Sequence, residues 1–144
     1  MSREIRGSIL EQTMTRFRDL VEREHMKDAK VSVLVKPLTP EEAIGTPERR
    51  DFPIIIGKER VIEACVLDAL GHAFTDSPQD FHGTLKDVLN LELNTNQNRA
   101  IFIATLNAAL SHLNRVEATV HCKDEEPEKC ALEIAKFLLN KYGK

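Results

Sequence analysis

Residues 99–113 constrain the fold most, because apolar side chains cover more than one face of the helix that this segment predicts. Such a helix is expected to be central and buried. Residues 3–25 predict a different helix, with one apolar stripe and a polar remainder. The stripe consists of Ile5, Ile9, Phe17, Leu20 and Val21, with Thr13 in its gap.

The segment between these helices predicts β-strands. Residues 31–36 alternate and are rich in β-branched side chains, which is typical of a strand. Residues 53–56 and 60–67 are predicted as two more strands, joined by a tight turn at residues 57–59. Residues 71–75 fit either a short fourth strand or the end of the third. The proline-rich residues 37–53 predict a loop with one helical turn at 40–44.

The second half of the chain predicts helices. Ser77 followed by Pro78 suits a helix start. Thr84 with Asp87 three residues later resembles a capping box for a helix over residues 85–91.

A polar break at residues 94–98 precedes the central helix, and residues 118–120 are predicted to be short and extended. The last helix is predicted over residues 127–142, with Pro127 in its first turn and Gly143 as its stop. Consecutive strands followed by segregated helices indicate an α+β fold. We expect a small antiparallel β-meander of about three strands packed against several α-helices.

Composition excludes several kinds of partner. The chain has 144 residues, which suits one domain, residues 1–144. Its 20 basic and 23 acidic residues give a net charge of −3 with no basic stripe, and it has no Trp, one Tyr and six Phe. These features argue against a nucleic-acid partner. No apolar run approaches the ~20 residues of a membrane span, and the N-terminus lacks a signal-peptide core.

The cysteine count indicates the compartment. Three cysteines, Cys65, Cys122 and Cys130, are odd in number and sparse, so a disulfide framework is not expected. A reducing cytoplasm is the natural setting for such a chain.

The densest polar cluster is residues 121–130, which hold a histidine, two cysteines and several carboxylates. Thiolate, imidazole and carboxylate groups bind divalent metals, so zinc, cobalt or nickel are reasonable ions for a site here. The candidate metal ligands are His121, Cys122, Cys130 and Asp124. The competing interpretation is that the cysteines are small buried fillers and that the carboxylates suit a helix N-terminus.

Cys122 has a further interpretation as a nucleophile. A helix N-terminus lowers the pKa of a thiol and His121 could assist, but the neighbouring carboxylates disfavour a thiolate. No glycine-rich oxyanion-hole pattern accompanies the cysteine.

Three segments together resemble one protein family. They are residues 51–59 (DFPIIIGKE), 98–108 (NRAIFIATLNA) and 119–128 (TVHCKDEEPE). The chain resembles the prokaryotic proteins of unknown function grouped as a heavy-metal chelation family. That resemblance implies a domain similar to the enolase N-terminal domain, and a link to anaerobic cobalamin or tetrapyrrole metabolism. Family members continue into a Rossmann-like second domain, which residues 1–144 do not include.

Three functions of different classes follow from these observations. The first is a metal- or tetrapyrrole-handling domain that uses residues 121–130. The second is a non-catalytic accessory domain that forms a shared cleft with a Rossmann-like partner. The third is a cofactor-dependent enzyme that is active only with that partner. Self-association into a homo-oligomer would cover an exposed sheet face or edge.

Other polar residues favour structural roles. The run Glu48-Arg49-Arg50-Asp51 is expected to be solvated or self-paired rather than to hold an anion. Asn107 lies within the apolar helix, so its amide must find partners if it is buried. His72, His82 and His112 are interpreted as surface or packing residues. His25 ends the first predicted helix, where a cation suits the negative end of the helix dipole.

Overall fold

A computed structural model describes residues 8–33 and 38–143 and shows an α+β fold. The described helices are α1 (Ile9–Arg23), α2 (Pro40–Ile44), α3 (Pro53–Ile56), α4 (Leu85–Leu89), α5 (Asn96–His112) and α6 (Glu126–Tyr142). The described strands are β1 (Lys30–Val33), β2 (Arg60–Val66), β3 (Ala69–Thr75) and β4 (Phe81–Thr84). None of these helices is long and apolar enough to cross a membrane.

The four strands form one antiparallel sheet in the order β3-β2-β1-β4. β1, β2 and β3 pair consecutively, so the predicted antiparallel meander is confirmed, but its third strand is Ala69–Thr75 and not residues 53–56. β4 adds a fourth strand at the outer edge of β1. The two-residue turn Leu67–Asp68, with Leu67 at φ +56°, joins β2 to β3 and sets Glu63 opposite His72.

The main core lies between one face of the sheet and the helices α1, α4 and α5. The predicted burial of the apolar helix is confirmed: Ala100, Ile101, Phe102, Ala104, Thr105, Ala108 and Ala109 of α5 are buried. The rings of Phe17 and Phe102 meet edge to face with centroids 6.0 Å apart. In α1 only Phe17 and Val21 of the predicted stripe are buried, and Ile9 is 83% exposed.

A smaller apolar cluster lies against the sheet at Val61 of β2. It consists of Val61, Ala43, Ile44 and Ile54, with Leu38, Phe52 and Ile55 around them. Residues of β2 alternate between the two faces of the sheet. Since Ile62, Ala64 and Val66 belong to the main core, Val61 and Glu63 belong to the opposite face.

The strand predicted over residues 53–56 is wrong, because Pro53–Ile56 is the helical turn α3. Pro53 stands in its first turn, where the fixed φ of proline suits a helix and the missing N–H is not needed. Both edges of β2 are already occupied by β1 and β3. No edge of β2 is therefore left for another strand beside it.

The helix start predicted at Ser77 is also wrong. The Ser77 hydroxyl donates to the carboxylate of Asp76 over 3.0 Å, and its backbone N–H donates to the hydroxyl of Thr75. These bonds form a turn, and the chain continues into β4. The capping box at Thr84 and Asp87 is confirmed. Ile5 and residues 34–36, which the sequence placed in the first helix and strand, lie outside the described residues.

Gly71 of β3 allows the closest approach between α5 and the sheet. A Cβ at this position would collide with the backbone N of Ala108 and the carbonyl oxygen of Ala104, and would lie 2.9 Å from the backbone C of Asn107. All three are backbone atoms, which cannot rotate away as side chains do. The helix can therefore lie on β3 only because residue 71 has no side chain.

We expect Gly71→Ala to lower the free energy of unfolding by about 3 kcal/mol, because overpacking against rigid atoms costs ~1–3 kcal/mol or more. Urea denaturation followed by circular dichroism measures this. The control is Gln79→Ala at an exposed loop position, which should change stability by less than about 0.5 kcal/mol. Equal stability of the two variants would contradict the close approach.

Candidate functional site

A buried histidine–glutamate pair lies on the face of the sheet opposite the main core. His72 Nε2 lies 2.8 Å from Glu63 Oε2, and the two side chains are 7% and 20% exposed. His72 Nδ1 accepts the backbone N–H of His121 at 3.0 Å. A ring nitrogen that accepts carries no proton, so Nε2 carries it and donates to Glu63. The bonds thus fix the tautomer of His72.

The chain segment 119–121 is held along the outer edge of β3. The His72 backbone N–H donates to the Thr119 carbonyl over 2.8 Å, and the Thr119 hydroxyl donates to the Leu70 carbonyl over 2.7 Å. The Asn107 amide of α5 donates to the His72 carbonyl over 2.9 Å. Asn107 therefore has the structural role that the sequence predicted. Together these bonds cover the edge of β3, which would otherwise be free to pair with another chain.

His121 ends this bound segment, and its backbone N–H is held by His72 Nδ1. Its ring packs edge to face on Phe74, with centroids 5.0 Å apart. His121 Nδ1 lies 2.5 Å from the carbonyl oxygen of Cys122. A carbonyl oxygen can only accept, so Nδ1 carries the proton. In the neutral ring the lone pair of Nε2 is left without a partner within the described residues.

One cavity beside His121 is mostly apolar, and we name it the aromatic pocket. Its volume is about 260 Å³. It is lined by Ile44, Phe52, Pro53, Ile54, Glu59, Phe74, His121 and Pro127. The loop before α3, the strand β3 and the start of α6 thus meet around one small space.

A second cavity that His121 also lines contains the thiols of Cys122 and Cys130, and we name it the thiol cavity. Its volume is about 660 Å³. It is lined by Ala118, Val120, His121, Cys122, Glu126, Lys129, Cys130 and Glu133. Burial raises the pKa of the Cys122 thiol, and electrostatic repulsion from the neighbouring Cys130 and Glu126 adds to the rise. This agrees with the expectation that carboxylates disfavour a thiolate and gives no support to Cys122 as a nucleophile.

Asp124 does not join the other three candidate metal ligands. Its carboxylate Oδ1 accepts the backbone N–H of Thr46 at 2.9 Å, and its own N–H donates to the Ile44 carbonyl over 2.8 Å. Asp124 has φ +56° and packs on Gly45, which has φ +67°. Its role in the structure is to fasten the start of α6 to the loop after α2.

The donors of the thiol cavity do not form a ready metal centre. Within residues 8–33 and 38–143, no three His, Cys, Asp or Glu side chains converge as a metal would require. His121, Cys122 and Cys130 line one cavity without closing on a point. Cys65 lies elsewhere, on the open face of the sheet beside Ser32 and His82.

The other polar candidates are engaged in ordinary pairs. Arg49 binds Asp51 with two hydrogen bonds of 3.0 and 2.7 Å, as predicted for a self-paired run, and both side chains are 62% exposed. This contact lowers the pKa of Asp51. His112 pairs with Asp68 over 2.5 Å at the surface.

Helix α6 extends away from these cavities, and its apolar side chains are exposed to solvent. None of its 17 residues is buried. The exposed large side chains are Leu132 at 62%, Ile134 at 55%, Phe137 at 57%, Leu138 at 49%, Leu139 at 69% and Tyr142 at 66%. The predicted extent of the helix is confirmed to within one residue, but the expectation that it packs on the sheet is not met.

The Glu63–His72 pair and the contribution of Glu59, Phe52 and Phe74 were not predicted from the sequence. A signal for the pair was present. Leu67 and Asp68 form the turn, so residues whose numbers sum to 135 face each other in the hairpin. Placing the turn there would have set the two polar residues, Glu63 and His72, side by side within otherwise apolar strands.

Comparison of the chain with protein-family models, with curated proteins and with solved structures finds no match. The resemblance to the heavy-metal chelation family and to the enolase N-terminal domain therefore stays a prediction.

We expect His72→Phe to lower the free energy of unfolding by about 1–3 kcal/mol, because it leaves buried polar groups without partners. The backbone amide of His121 should also exchange faster, as its acceptor is lost. Nuclear magnetic resonance with hydrogen exchange measures both effects. The control is His82→Phe at an exposed position of the same sheet. Unchanged exchange at His121 would show that His72 does not hold the segment.

Proposed function

We propose that this domain is a non-catalytic accessory module that packs through α6 against a Rossmann-like partner. The observation that carries the proposal is the exposure of α6, none of whose 17 residues is buried and whose large apolar side chains are about half or more exposed. In proteins most of the stability of a helix comes from the packing of its apolar face. A continuous apolar surface of this kind on a helix usually marks an interaction site.

The apolar surface of α6 is broad, and its charges are unevenly distributed. Ile134, Leu138 and Tyr142 recur at the spacing of one helix face, while Lys136 and Asn140 lie on the opposite face. The first half of the helix holds three glutamates and one lysine, Lys129, and the second half holds only the basic residues Lys136 and Lys141. A partner with the opposite polarity would therefore be held in one orientation.

The position of α6 links docking to the two cavities. Pro127 in its first turn lines the aromatic pocket, and Glu126, Cys130 and Glu133 line the thiol cavity. A protein bound to α6 would therefore lie next to both the aromatic pocket and the thiol cavity. This supports a shared cleft, to which this domain contributes His121 and the partner contributes the facing wall.

We expect Leu138→Glu to weaken binding of a separately produced Rossmann-like partner by about tenfold or more, since burying an unpaired charge in an apolar interface is costly. Asn140→Glu on the opposite face is the matched control and should bind as the unaltered protein does. Analytical ultracentrifugation measures both affinities.

Hydrogen exchange adds a second readout to this experiment. In the domain alone, the amides of α6 should exchange faster than those of α5, and they should slow when the partner is added. Slow exchange in α6 that persists at every protein concentration without a partner would overturn the docking role. Slow exchange that appears only as the concentration rises would assign the surface to a second copy of the chain.

Binding of zinc, cobalt or nickel is a second candidate function, implied by the resemblance. The observation that favours it is the shared position of Cys122, Cys130 and His121 in the thiol cavity. Glu126 or Glu133, which line the same space, would replace Asp124 as the oxygen donor. Because these donors do not converge in the domain alone, a movement of α6 or a partner residue would have to complete the set.

Elemental analysis of protein purified without air or chelator tests this candidate. If it is right, we expect about one metal ion per chain, as in structural zinc sites, and loss of that metal in Cys122→Ser and Cys130→Ser. Cys65→Ser is the control, because Cys65 lies outside the cavity. No metal after incubation with the three ions, with the partner also present, would exclude the function.

A further inference from the structure

The aromatic pocket is a preformed cavity built by this chain alone. Its walls come from α2, the loop into α3, β3 and the start of α6. Two hydrogen bonds fix segments that are far apart in sequence. His72 Nδ1 accepts the backbone N–H of His121, and the Asp124 carboxylate accepts the backbone N–H of Thr46. At about 260 Å³ it lies just below the ~300–1,000 Å³ typical of sites for drug-sized molecules. Its ligand must therefore be small.

The two polar side chains that line the pocket both present acceptors. The Glu59 carboxylate is half-buried and has no hydrogen-bond or ion-pair partner within the described residues. His121 has its Nδ1 proton committed to the Cys122 carbonyl, which leaves the Nε2 lone pair as its free group. No lysine or arginine is among the lining residues. A matching ligand would bring donors and positive charge.

The aromatic rings favour the same kind of ligand. Phe52 and Phe74 line the pocket with aromatic rings, and such rings attract cations through their quadrupoles. The guanidinium of Arg49 already lies 5.6 Å from the centroid of the Phe52 ring, so this ring does accept a cation. The other lining side chains, Ile44, Pro53, Ile54 and Pro127, suit an apolar body.

We propose that the aromatic pocket binds a small organic ammonium ion, a primary amine on a compact apolar body. The ammonium group would donate to Glu59 and to His121 Nε2, and the apolar body would pack between the two phenylalanines. An anion is disfavoured by the Glu59 carboxylate. A neutral apolar molecule would strip water from that carboxylate without replacing its hydrogen bonds. The pocket needs no partner, so this inference stands or falls separately from the docking of α6.

Titration of the full chain with three probes of similar size tests the proposal. The probes are phenethylamine, 2-phenylethanol and phenylacetate, and amide chemical shifts report both affinity and location. We expect phenethylamine to bind more tightly than the alcohol by about tenfold or more, because its hydrogen bond to a carboxylate is charge-assisted. Phenylacetate should not bind. The shifts should appear at Ile54, Phe74 and His121.

Glu59→Gln then removes the charge with almost no change in size. We expect it to abolish the preference for the amine over the alcohol. Glu48→Gln, at an exposed position of the neighbouring loop, is the control and should retain the preference. Equal binding of the three probes, an unchanged preference in Glu59→Gln, or shifts confined to the thiol cavity would each overturn the proposal.

Discussion

The contact between α5 and β3 at Gly71 is the constraint on which the rest of the structure depends. It brings a helix backbone directly onto a strand backbone, and it places Asn107 where its amide can reach the carbonyl of His72. With α5 covering one face of the sheet, the alternation of β3 turns the His72 ring to the opposite face. There the ring meets Glu63 and the backbone of His121. The position of the site therefore follows from the packing of the core.

Hydrogen bonds to backbone groups and to the Glu63 carboxylate hold the site together. His72 is fixed as the tautomer that accepts at Nδ1 and donates at Nε2, while His121 is fixed in the opposite sense. Each ring thus has one nitrogen committed to the backbone. For His72 the second nitrogen is also committed, which makes it a positioning residue. For His121 the second nitrogen remains free, which makes it the residue that can meet a ligand.

The sequence predicted local features well where a short-range rule applies. The capping box at Thr84, the extent of α6 and the burial of α5 all depend on residues a few positions apart. The prediction failed where long-range packing decides. Residues 53–56 have the composition of a strand, but β2 has no free edge to pair with them. Asp124 lies among candidate ligands in sequence, but its carboxylate binds Thr46, which is distant in the chain. The pairing of Glu63 with His72 required the position of one turn, and the aromatic pocket required the whole topology.

His121 lines both the aromatic pocket and the thiol cavity. It offers one lone pair, and one lone pair can serve one ligand at a time. A ligand in one cavity that binds His121 would therefore lower the affinity of the other cavity for its own ligand. Thermodynamic linkage makes the two effects equal in size. The two spaces would then behave as antagonistic sites, with the imidazole as the element for which they compete.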